Sequence, residues 1–412
     1  AYLHSVMVEE KRRMLRTWNL ALVIGAFALT ILGTFVTRSG VVNSVHSFTQ
    51  SAIGPLLLGY LAAVLAFSVG LLLWRAPRLR DAGPVGAPLS REAVFLFQNV
   101  LFVAATLTIL LGTLYPLLVE ALSGDQVSIG APYFDRVEVP IGLALLFLMG
   151  VGPQLPWHGA SRATLERQFA LPVLVAAAGA ALALAAGLRA PMAVLAYALV
   201  AFVCATVAQE VARGVRARHT LHGEPRVRAL ANLFRRSGRR YGGYVVHVGI
   251  AVVALGIATS QAATIEAEAT LAPGGSMRVA GRDIEFLGLR DVNEPQRRAV
   301  VADLQVGETV LSPALTFYPN ATQPIGTPGI ATAADGDTYA ILAAYDARGR
   351  AWATIQIRVI PLVSWLWIGG AIVGLGAVIA GLPAPRARER KRTAPLVTAP
   401  AAHRTVADAS GE

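Results

Sequence analysis

Apolar runs of about twenty residues recur along this chain between short polar segments, and the pattern changes once, between Gln261 and Arg358, to short alternating stretches. A helix of ~20 apolar residues crosses the ~30 Å hydrocarbon core of a bilayer. Eight complete spans are predicted near 18–37, 54–74, 94–117, 139–156, 170–188, 191–212, 242–260 and 361–382, with residues 1–8 as the end of an earlier helix. The run at 139–156 is the least regular, because Gly150, Gly152, Pro153 and Pro156 interrupt its end. Such residues are tolerated in membranes where neighbouring helices satisfy the freed backbone groups.

Between the seventh and eighth spans, Ile284-Glu285-Phe286-Leu287 and Ala351-Trp352-Ala353-Thr354-Ile355-Gln356-Ile357 read as strands, separated by the turn residues Pro273-Gly274-Gly275 and Asp335-Gly336-Asp337. The expected fold is mainly α. It comprises a polytopic transmembrane helix bundle over 1–260, a small extracytoplasmic β domain over 261–358 and a last transmembrane helix over 359–382. A disordered basic tail rich in Pro, Ala and Arg is expected over 383–412.

Composition agrees with a membrane protein: of 412 residues, 55% are hydrophobic and 15% charged, too apolar for a soluble globule. If each span reverses direction, segments 9–17, 75–93, 157–169, 213–240 and the tail share one side and hold 4, 4, 2, 9 and 6 Lys/Arg, or 25 of 36. The positive-inside rule makes that side cytoplasmic, and the net charge of +11 reads as topology rather than as a nucleic-acid surface. The β domain then lies on the outer face of the membrane.

Cys204 is the only cysteine, so no disulfide, Cys-x-x-Cys pair or Cys-x-x-Cys-His heme attachment site exists within the chain. Any thiol chemistry uses a partner's thiols. The sequence opens on Ala1-Tyr2-Leu3-His4-Ser5 in mid-pattern, which reads as a chain that starts inside a longer protein.

Depth separates the seven histidines. His4 lies five residues inside its helix from Glu9, about 7–8 Å at ~1.5 Å per residue, and His247 lies seven residues beyond Arg240 on an oppositely directed helix, about 10 Å in. Two imidazoles at a similar level near the inner leaflet are what a bis-histidine heme needs, one axial nitrogen on each face. Ionisable side chains within a membrane are costly and point to function, although a neutral imidazole bonded to a carbonyl is the plain alternative. Gly243 and Gly249 leave space beside His247 for a flat macrocycle or for a close helix neighbour.

His46 follows Thr37-Arg38-Ser39-Gly40 on the outer side, where an imidazole can ligate heme arriving from outside and Arg38 can meet a propionate or simply snorkel. His158, His219, His222 and His403 fall in loops and the tail, without a complete ligand set around them.

Residues Leu32-Gly33-Thr34-Phe35-Val36-Thr37-Arg38-Ser39-Gly40-Val41-Val42-Asn43-Ser44-Val45-His46-Ser47-Phe48 closely resemble the signature of the CcmF family, the heme lyase subunit of cytochrome c maturation. Leu3-His4-Ser5, the His247 helix, Leu271-Ala272-Pro273-Gly274 and Pro361-Leu362-Val363-Ser364-Trp365 resemble that family in the same order.

The resemblance implies that His4 and His247 hold a resident heme b, and that His46 is one of two periplasmic histidines that bind the heme destined for the cytochrome. His46 is thus the expected catalytic residue, with Arg38 beside it. The implied reaction is a cytochrome c heme lyase's: joining heme vinyl groups to the thiols of an apocytochrome Cys-x-x-Cys-His motif. The implied partners are a periplasmic heme chaperone, the apocytochrome c with its thiol-handling partner, and quinol as electron donor; nucleic acid is not among them. The family's tryptophan-rich segment and earlier periplasmic histidine are absent from this stretch, so the lyase is expected to be incomplete here. A heme or solute transporter, or a b-type electron-transfer subunit, are the alternatives that the residues leave open.

Overall fold

A computed structural model describes residues 1–39, 53–79, 87–157, 159–319, 323–333 and 335–383. The helical part contains α1 (Tyr2–Arg12), α2 (Arg16–Arg38), α3 (Ile53–Arg75), α4 (Arg91–Ser123), α5 (Ala131–Val151), α6 (Arg162–Ala185), α7 (Pro191–His222), α8 (Arg226–Arg236) and α9 (Gly238–Ala263), with α10 (Trp365–Gly381) after the strands.

Among the described residues, six helices, α2, α3, α4, α6, α7 and α9, are long and apolar enough to cross a membrane. The other two predicted spans correspond to α5, whose opening turns carry Asp135, Arg136 and Glu138, and to α10, which has 17 residues. The expected eight thus comprise six helices that qualify on length and apolarity and two that are shorter in apolar extent. The tail from 384 onward, predicted to be disordered, lies outside the described residues.

The helices overrun the predicted spans where nothing in the sequence stops them. α7 continues ten residues past the apolar run to Gly223, which adopts the left-handed φ of 63° and donates its N–H to the His219 carbonyl. Pro225 then precedes α8, which sits inside the segment read above as an arginine-rich loop. α5 ends at Val151 in a short 3-10 turn whose carbonyls are gathered by Arg91: its guanidinium donates to Gly152 O at 3.1 Å, Leu155 O at 3.0 Å and Pro153 O at 2.6 Å. Gly150 lies against Phe202, so close that a Cβ there would fall 2.5 Å from the ring.

α9 and α10 run antiparallel with their backbones in near contact. A Cβ on Gly242 would lie 2.7 Å from the Gly376 carbonyl oxygen, and one on Gly249 would lie 2.8 Å from that of Gly369. Seven residues up α9 match seven down α10, the repeat expected when small residues let two membrane helices touch.

Between them the strands are β1 (Ile265–Leu271), β2 (Ser276–Val279), β3 (Arg282–Glu294), β4 (Arg297–Val306), β5 (Thr309–Leu311), β6 (Ala314–Phe317), β7 (Ile325–Thr327), β8 (Gly329–Ala331), β9 (Asp337–Tyr345) and β10 (Ala353–Ile360). One sheet has the order β1-β10-β9-β8 and the other β2-β3-β4-β6-β7, with β5 on β4. Alternate residues of the long strands supply a shared core that includes Ile284, Phe286, Leu304, Leu342, Ile355 and Ile357. β1 begins two residues after α9 ends and pairs with β10 from Ile265↔Val359.

Candidate functional site

The site is built around α1. Its C-terminal end turns sharply into α2 through Arg13 and Leu15, both with left-handed φ (56° and 68°), and three polar contacts fix it. Asn19 donates to Glu9 at 2.6 Å, Arg239 pairs with Glu10 at 3.0 Å, and Arg12 lies 3.2 Å from the fully buried Glu92. These tie α1 to α2, α9 and α4, and so set where His4 points two turns away.

From α1 and α9, His4 and His247 face each other with ring centroids 6.3 Å apart and planes inclined by 28°. With a metal–imidazole bond of about 2.0–2.1 Å and about 1.1 Å from nitrogen to ring centre, two imidazoles that shared one metal ion would have ring centres up to about 6–6.5 Å apart. The observed spacing fits one metal ion held between the two rings. Nδ1 of His247 is buried and has no hydrogen-bond partner among the described residues, a nitrogen that a metal would satisfy. Gly243, one turn below His247 on the same face, has open space: a Cβ there would meet nothing within 4 Å. Gly249 instead serves the α10 contact, which divides the two roles the sequence left open for these glycines.

Two residues of α4 and one of α9 itself complete the pair. Gln98 on α4 places its side-chain amide 3.3 Å from His4 Nδ1. Phe95, one turn earlier, packs its ring 5.4 Å from that of His4 and is backed by Trp157 at 5.9 Å. Tyr244 lies 6.5 Å from His247 and donates to Glu210 at 3.3 Å. The Glu210 carboxylate is buried on α7 and also accepts from Arg240 at 2.5 Å and from Arg213. Sequence reasoning missed Gln98 and Glu210. The polar pair Gln98-Asn99 inside an apolar run was the available signal for the first; Glu210, beside Gln209 at the end of an apolar run, carried a similar one.

The remaining predicted residues are dispersed. Arg38 ends α2 and is exposed. His46 lies outside the described residues, as do His158 and His403. His219 engages the Glu224 carbonyl at 2.7 Å, at the end of α7.

No family model matches the chain. A curated relative, the "Cytochrome c-type biogenesis protein CcmF" of Pseudomonas fluorescens, is 35% identical over 393 residues, which cover 93% of this chain and 57% of the relative. The protein of that name from Escherichia coli (strain K12) is 32% identical over 415 residues, 98% of this chain and 60% of the relative. A solved structure titled "Cytochrome c Heme Lyase CcmF" superposes with a TM-score of 0.69 at 32% identity, covering 93% of this chain and 57% of that one. The chain belongs to the CcmF family. It spans somewhat over half the length of these CcmF relatives. With its apolar helices, this makes it a multi-pass membrane protein.

Proposed function

We propose that this chain is part of a cytochrome c maturation heme lyase and holds a resident heme b through His4 and His247. The observation that carries the reading is the 6.3 Å spacing of two near-parallel imidazoles from separate helices, supported by the unpartnered Nδ1 of His247. Bound there, heme supplies an iron that accepts and passes single electrons. The residues do the rest. His4 and His247 each offer one nitrogen, and Gln98 fixes the His4 tautomer by taking its Nδ1–H on the amide oxygen, the orientation obtained by turning the amide through a half-circle. Phe95 and Tyr244 pack beside the two imidazoles, and Gly243 leaves clearance for the macrocycle edge.

In the lyase reaction a second heme is the substrate. His46 ligates its iron on the periplasmic side, delivered there by a heme chaperone, and Arg38 is the nearest cation in sequence for a propionate. Each apocytochrome thiol adds across one vinyl double bond, sulfur to one carbon and the proton to the other, so no nucleophile from this chain is needed. Its contribution is orientation, which converts a bimolecular addition into one between held groups. Quinol is the proposed source of electrons for the resident heme, in a bacterial inner membrane with the β domain in the periplasm.

The test is the absorption spectrum of the purified full-length protein beside His4→Ala and His247→Ala variants. Both substitutions are expected to abolish the low-spin bis-imidazole spectrum; its retention in either one rejects the ligand pair. A transporter would move heme without attaching it, and a simple b-type cytochrome would turn over without forming thioethers.

A further inference from the structure

α7 has 32 residues, about 48 Å of helix, some 18 Å more than a hydrocarbon core requires. Counted from Pro191, its apolar run is exhausted near Glu210, and the next turns carry Arg213, Arg216 and Arg218. α8 folds back against this stretch: Ala229 and Leu233 are buried, while Val227 and Leu230 on the same short helix remain 82% and 39% exposed. Between α7 and α8 lies an open groove of about 640 Å³, walled by Ala208, Val211, Ala212, Val215 and Leu230, with Arg216 and Arg226 on its rim.

The charge around it is one-sided. From 211 to 265 the only acidic residue is Glu224, whose two oxygens are taken by Arg218 at 2.9 and 2.6 Å, with Asn232 at 3.1 Å. Among the described residues, the one hydrogen bond of Arg216 is to the Ala212 carbonyl of its own helix, at 3.3 Å, and no acidic group pairs with Arg216 or Arg226. Two cations without an acidic partner at the end of an apolar trough, at the depth where a membrane helix leaves the hydrocarbon, match a molecule with one anionic head and an apolar chain. A free phosphate has no use for the apolar wall.

We propose that this groove is a binding site for an anionic phospholipid, its phosphate between Arg216 and Arg226 and one acyl chain along Ala208, Val211, Ala212 and Val215. α8 then lies in the membrane surface with Val227 and Leu230 turned toward lipid, and the site anchors the arm that leads from α7 into the helix of His247.

The test uses the delipidated full-length protein in detergent, titrated with phosphatidylglycerol, phosphatidylcholine or inorganic phosphate and read by native mass spectrometry. Phosphatidylglycerol is expected to be retained at least about tenfold better than phosphatidylcholine. Arg216→Gln with Arg226→Gln should erase that preference at an unchanged melting temperature, and either single variant should reduce it. Ala212→Phe should weaken retention of both lipids by filling the trough. Arg228→Gln, on α8 but outside the groove, should leave the preference intact. Equal retention of the two lipids, equal loss for Arg228→Gln, or displacement of the lipid by equimolar inorganic phosphate would each overturn the proposal.

Discussion

The side-chain amide of Gln98 on α4 lies 3.3 Å from Nδ1 of His4 on α1, so that imidazole is gripped from a neighbouring helix on the nitrogen away from the one free to ligate. Groups of this kind usually tune a ligand's affinity by about 10–100-fold. Gln98→Leu is expected to weaken heme retention to that extent and to shift the midpoint potential, with Gln98→Glu retaining the bond. An unchanged potential in Gln98→Leu, measured by redox titration, would remove Gln98 from the site.

Two glycines on α9 should respond in opposite ways. At Gly249 a side chain would strike the backbone of α10 at 2.7–2.8 Å, whereas at Gly243 it would meet open space. Gly249→Val is expected to destabilise the helix pair by about 1–3 kcal/mol or more, seen as a lowered melting temperature. Gly243→Phe is expected to melt normally yet take up less heme per chain. Full heme occupancy in Gly243→Phe would show that the macrocycle does not use that space.

Arg91 gathers three carbonyls at the end of α5 and lays its guanidinium 5.6 Å from the Trp157 ring. Arg91→Ala leaves acceptors in the 152–155 turn without donors and is expected to cost about 2–4 kcal/mol. Lysine lacks the planar fork, so Arg91→Lys should recover less than half of the loss in a denaturation series. Full rescue by lysine would mean that charge alone matters.

The β domain should be sensitive to acid. The Asp346 carboxylate accepts from the backbone N–H groups of Gly349, Arg348 and Ala351, which hold its pKa below the ordinary value, and the Arg282 guanidinium does the same for Asp335. A depressed folded pKa contributes stability that is complete above the unfolded value of ~3.9 and is lost as pH falls through the lowered one. The hydrogen-exchange protection factors of the β9–β10 turn, taken relative to intrinsic exchange at each pH, are therefore expected to fall below about pH 4. Asp346→Asn should remove most of that dependence; an unaltered pH profile in the variant would contradict this assignment.

The depth count placed His4 and His247 on a common level because rise per residue is nearly constant along a helix, and the fold brings their rings together. Strand positions such as Ile284 and Ile355 were legible from alternation alone. α8 was not, since an arginine-rich segment with few apolar residues shows no span and its packing face is small, Ala229 and Leu233 buried with Phe234 against Tyr241. Gln98 also escaped, because the polar pair Gln98-Asn99 on a membrane helix does not reveal which neighbour each residue faces. The overrun of α7 to Gly223 was readable only in the Gly-Glu-Pro stop, once the helix was no longer equated with its apolar part.

The β domain hangs from two stiff members laid side by side: α9 passes into β1 within two residues, β10 returns into α10 within five, and both pairs are zipped, one by glycine contacts and the other by a strand ladder. Such a double stalk leaves little slack for swinging. A load applied to the sheets by a docked protein would travel down α9 as through a strut, and His247 sits on that strut.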